Sequence, residues 1–137
     1  LVESDTKKIL DNALADPEDY SNAIKTYAAA IKLNPDFADA YYSLAVCEEN
    51  LAKDIISGAV KVNDDGTIEK VEEIDNEVEE VKVVLSDRAK ETLGKLLNDA
   101  ISDYGLYQDK SNEPDDRAFV DRKVKELQQL LAENAVK

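Results

Sequence analysis

The sequence contains no histidine, no methionine and no tryptophan, one cysteine, three prolines and four glycines. Each scarcity excludes something. A lone Cys47 permits no internal disulfide. Without histidine or a second cysteine, the usual structural zinc sites cannot be assembled. General base chemistry loses its commonest residue, and neither a glycine-rich phosphate loop nor a nucleophile elbow is present. Carboxylates are plentiful, but Glu48 and Glu49, like Glu72 and Glu73, read as solvated faces rather than as a catalytic constellation. The expectation is a chain that is not an enzyme and needs no cofactor. No apolar run approaches the ~20 residues of a membrane-spanning helix. The absence of Met, even at residue 1, gives the expectation of an excerpt or a processed product.

What is present points to helices. The 137 residues fit one domain, and 43% are hydrophobic, enough for a core. Lys and Arg total 17 against 31 acids, a net charge of −14. Such a surface repels nucleic acid and anionic lipid and favours basic partners. Cys47 lies among apolar neighbours and reads as a buried small residue.

Punctuation divides the first part into helices over 3–15, 17–33 and 36–57. Asp16-Pro17-Glu18-Asp19 supplies a cap, a first-position proline and acids at the positive helix end. Asn34-Pro35-Asp36 ends one helix and starts the next. Turns this short fold neighbours back antiparallel.

Within these helices Ala23, Tyr27 and Ala30 stand at i, i+4, i+7, and Pro35 follows. Tyr41, Leu44 and Ala45 then stand at i, i+3, i+4. Small residues permit two helices to approach and aromatics fill the adjacent grooves. Over residues 17–51 this pattern resembles the tetratricopeptide repeat, a 34-residue helix pair. Leu10 takes the leucine place one period earlier, whereas Lys7 departs from the aromatic there. The resemblance implies an all-α fold: an antiparallel helix-pair superhelix of about two repeats, the second interrupted by an insertion. It also implies a concave, peptide-binding groove lined by the first helices. By register that groove carries Lys8, Asn12, Asp39, Tyr42, Ser43, Val46, Glu49 and Asn50. Lys8 and Asn12 fit the first helix of the carboxylate clamp of the family's chaperone adaptors. Ser43 stands where the clamp has Asn, and no third repeat is recognisable. Tyr42 and Val46, flanked by Asp39 and Glu49, suit an apolar anchor with a basic flank instead.

Residues 58–85 change character. From Val60 to Val84 every aliphatic residue is Val or Ile, and Asn63-Asp64-Asp65-Gly66 is a turn, so an acidic β-hairpin insertion is expected, displayed to solvent rather than packed. A rival helical stripe runs Ile68, Val71, Ile74, Val78, Val81, Leu85. Residues 61–72 match a calcium loop at Asn63, Asp65, Gly66, Ile68 and Glu72, but Lys61 replaces the first acid.

Ser86-Asp87 caps a helix running to about residue 107 through Ala89, Leu93, Leu96, Leu97, Ala100, Ile101 and Tyr104. Its best register for the second helix of the interrupted repeat is Leu93, Leu97 and Ala100. After Pro114 a last helix carries Phe119, Val120, Val124, Leu127, Leu130 and Leu131, with Arg122, Lys123 and Lys125 elsewhere. It is expected to cap the repeats as part of a single domain, 1–137. The functional expectation is a non-catalytic module binding a protein or peptide, and neither nucleic acid nor membrane. Two other readings stay open: a structural segment of a longer helical-repeat protein, and a calcium-binding module using residues 61–72.

Overall fold

The computed structural model describes residues 19–71, 84–111 and 116–134. Its elements are α1 (Asp19–Leu33), α2 (Ala38–Ser57), β1 (Val60–Val62), β2 (Ile68–Lys70), α3 (Asp87–Lys110) and α4 (Asp116–Glu133). Among the described residues the fold is all-α with one two-stranded antiparallel hairpin. The helix expected over 3–15 lies outside the described residues, as do Ile74, Val78 and Val81 of the rival stripe. The four helices pack in chain order, each on the next, and α2 with α3 forms the centre.

The turn after α1 is built from its own polar groups. Asn34 Oδ1 accepts from the Asp36 N–H at 3.3 Å, and the Asn34 carbonyl accepts from the Phe37 N–H at 3.2 Å. These bonds hold Asp36 in the turn, so α2 begins at Ala38 rather than at residue 36. Tyr41 Oη donates to the Pro35 carbonyl at 3.0 Å and ties the turn to the helix it precedes.

Small residues set the spacing. Ala23, Ala30, Ala45, Ala52 and Ala100 are buried, and beside them sit the fully buried Tyr27, Leu93 and Leu97. A side chain ending at Cβ lets backbones approach, and the large residues then fill the flanking space. Leu93, Leu97 and Ala100 therefore do pack as a helix face, as their register suggested.

Gly58 ends α2 in the left-handed region, φ 83°, donating its N–H to the Ile55 carbonyl. The hairpin follows in the register Val60↔Lys70, Lys61↔Glu69, Val62↔Ile68. Gly66, φ 89°, closes its turn. A Cβ there would come within 2.6 Å of Arg88 Nη2, so the hairpin tip lies directly against the first turn of α3. The hairpin is not merely displayed. Strand alternation turns Val60 and Val62 inward to 4% and 6% exposure, within the core cluster, and leaves Lys61 outside.

Ser86 caps α3, its Oγ accepting from the Ala89 N–H at 3.1 Å. The helix continues one turn past the expected end, to Lys110, which reaches back to Asp36 at 3.3 Å. On α4 Val120 and Leu127 are buried, seven residues apart on one face.

Cys47 is fully buried in the core cluster. Burial first, and neighbouring Glu48 second, push its thiol up to about 12. Since the thiolate is the nucleophile, the native protein at neutral pH is expected to react with a disulfide reagent at under ~1% of the rate in urea. Comparable rates in the two conditions would show that Cys47 is accessible.

Candidate functional site: the junction of α2, α3 and α4

Six of the eight expected groove residues lie on α2, and the helix divides them. Asp39 is exposed; Tyr42, Val46 and Asn50 are half-buried; Ser43 and Glu49 are buried, at 4% and 3% exposure. Asn50 turns its amide back onto its own helix, donating to the Val46 carbonyl at 2.9 Å. Lys8 and Asn12 lie outside the described residues.

Tyr42 meets rings from two other helices. Its centroid stands 6.2 Å from Tyr104 and 5.1 Å from Tyr107, both on α3, and 6.2 Å from Phe119 on α4. Tyr104 and Phe119 meet edge to face, also at 6.2 Å. Offset and edge-on ring pairs at these separations each contribute ~0.5–1.5 kcal/mol beyond the area they bury. The apolar spot around Tyr42 is thus partly filled by the chain's own C-terminal helices.

Glu49 lies beneath these rings, at the polar centre of the junction. Its Oε1 accepts from Tyr104 Oη at 2.6 Å. Its Oε2 accepts from Lys53 Nζ at 2.7 Å and Lys123 Nζ at 2.9 Å. Burial alone raises the carboxyl's pKa, but the bonds from Lys53, Tyr104 and Lys123 outweigh it and hold the pKa below the usual value. Tyr104 shifts the other way: burial first, then the carboxylate beside its hydroxyl, raises its pKa. One side chain therefore fastens three helices, α2 to α3 through Tyr104 and α2 to α4 through Lys123.

This corrects the reading of Glu48 and Glu49 as a solvated pair. Both are 3% exposed. Glu48 follows Leu44 by four residues and precedes Ala52 by four, which puts it in the apolar stripe and was a legible signal. For Glu49 the useful signal was Lys53 one turn on. Lys123, read as lying off the apolar stripe of α4, reaches inward to Glu49, and nothing in its local sequence required that.

The junction ties three helices together. Glu49 accepts three hydrogen bonds there. In the hairpin, Asp65 Oδ1 accepts from the Thr67 N–H at 2.9 Å and from Thr67 Oγ1 at 2.6 Å, and Asn63 Nδ2 donates to Thr67 Oγ1 at 2.9 Å. Two of the calcium-loop positions thus serve the turn itself, and Glu72 lies outside the described residues. Among the described residues, no three acidic or sulfur ligands are grouped to hold a metal ion. No described helix is long and apolar enough to cross a membrane.

The helix pair preceding the junction carries the family pattern. Ala23, Tyr27 and Ala30 of α1 and Tyr41, Leu44 and Ala45 of α2 are all buried along the path of one tight turn. Residues 12–47 match the family model described as the TPR repeat. Over those residues the chain is similar to a TPR repeat. No curated protein and no solved structure matched in two further comparisons. A TPR repeat supports a role in protein–protein interaction in general, and the helical fold agrees with it. The junction of α2, α3 and α4 is where the TPR helix pair meets the C-terminal helices.

Proposed function

We propose that the chain is a non-catalytic interaction module that takes a peptide or a partner helix along the face of α2 bearing Asp39, Tyr42, Val46 and Asn50. The carrying observation is the half-buried Tyr42, held by three rings but not enclosed by them. A ring held in this way is a pre-ordered anchor, since its side-chain entropy is already spent. Ser43 and Glu49 serve this face from below, Glu49 by fixing the helices around it. Lys8 and Asn12 extend it by the repeat register. The exposed Asp39 favours a basic flank on the partner, in keeping with the net charge of −14.

A panel of helical peptides with one apolar anchor and either a basic or an acidic flank tests this. Basic-flank peptides are expected to bind the wild type. Asp39→Lys should weaken them by about tenfold, ~1.4 kcal/mol, with the melting temperature unchanged because Asp39 is exposed. Binding that ignores both the flank and Asp39→Lys places the partner elsewhere.

A further inference from the structure

The stripe that buries Tyr41, Leu44 and Ala45 also carries Glu48 inward. Facing it from α3 are Asp99 and Asp103, one turn apart, and Lys95, which pairs with Asp99 at 2.9 Å. From α1 the facing residues are Ile24 and Ala28, and from α2 Leu44. These enclose a cleft of about 310 Å³ between the three helices. Glu48 lines it at 3% exposure, and its Oε1 is buried without a hydrogen-bond partner.

The charges do not balance. Glu48 and Asp103 face each other closely enough for one proton to bridge them, and burial raises the pKa of both. With that proton in place the cleft holds two carboxylates against Lys95, a net charge of −1; without it the charge is −2. A buried acceptor with no partner costs ~1–3 kcal/mol, so the site is incomplete as it stands.

We propose that this cleft receives an arginine side chain from a protein partner. The stem lies along Ile24, Ala28 and Leu44, and the guanidinium meets Glu48 and Asp103. Its planar fork supplies several donors to paired carboxylates and is less strongly hydrated than an ammonium, which favours arginine over lysine. The cation takes over the neutralising role of the shared proton, which leaves to solvent while arginine keeps its own. Binding therefore releases one proton and strengthens as pH rises. This inference rests on the interaction reading, but it uses a different site from the Asp39–Tyr42 face.

The test is an NMR titration with N-acetyl-arginine amide, with N-acetyl-citrulline amide as the uncharged isostere. A lone side chain is expected in the millimolar range, ~1–10 mM. The arginine compound should shift the backbone amides of Ala28 and Leu44 saturably, and the citrulline compound should not. Apparent affinity should rise up to about tenfold per pH unit between about pH 6 and 8. Glu48→Gln should remove that pH dependence, with Asp103→Asn as the second variant should the first not fold. Absence of saturation, equal binding of citrulline, or binding unchanged in both variants overturns the proposal. The probe needs no protein partner, so this test and the peptide panel can fail independently.

Discussion

Tyr104→Ala is expected to lose ~3–5 kcal/mol of stability, the range for deleting a large buried ring. Tyr104 is fully buried, its ring packs on Tyr42 and Phe119, and its hydroxyl donates to Glu49. Removal opens a cavity where three helices meet and takes one bond from a buried carboxylate. Tyr104→Phe separates the two effects. It keeps the ring and loses only the hydroxyl, which at a charged acceptor contributes ~1.5–3 kcal/mol. Urea unfolding followed by circular dichroism reads both, since the chain has no tryptophan to report by fluorescence. Combining Tyr104→Phe with Glu49→Gln should reveal coupling of ~0.5–3 kcal/mol. A Tyr104→Phe variant as stable as wild type would mean that the bond to Glu49 is not formed in solution.

The second large effect is a pH dependence with two opposite limbs. Glu49 has a lowered pKa in the folded chain, so its contribution is present above the unfolded carboxylate pKa and fades as pH falls through the folded one. Glu48 has a raised pKa, so the folded chain keeps a proton that the unfolded chain has released. Stability therefore falls as pH rises from the ordinary carboxylate range towards the raised value, by up to ~1.4 kcal/mol per pH unit. Glu48→Gln holds the donor in place without titrating. Relative to this variant, the wild type should lose about 2–3 kcal/mol between about pH 6 and 8. The shared surface repulsion of a chain with net charge −14 cancels in that comparison. Parallel pH curves for the two proteins would show that Glu48 is ionised and solvated, and would remove the proton-release argument for the arginine cleft.

Much of the fold was legible from local chemistry. Asn34-Pro35-Asp36, Ser86 and the Asn63–Gly66 turn each act within a few residues, and each appears where its sequence placed it. The β-branched run after Gly58 begins as a strand because Val60 and Val62 alternate inward onto the helices that carry Ile55 and Ala89. The start of α2 was misplaced by two residues because an asparagine side chain competes locally with the helix for the same N–H groups.

The site was less legible. The register placed Tyr42, Val46 and Glu49 on neighbouring positions of one helix, but a register does not state what covers them. Phe119 and Lys123 reach that helix from more than seventy residues away along the chain.

By itself the sequence determined the TPR helix pair and its turn, because small-residue spacing, proline placement and capping act over one or two helical turns. It also determined the acidic balance, a net charge of −14. Only the tertiary structure decided which carboxylates are buried. Glu48 and Glu49 are adjacent and chemically identical, yet burial facing two aspartates raises the pKa of one, while two lysines and a tyrosine hold that of the other below its usual value. That difference comes from α3 and α4, since the charge state of a buried group is set by the atoms that replace its water.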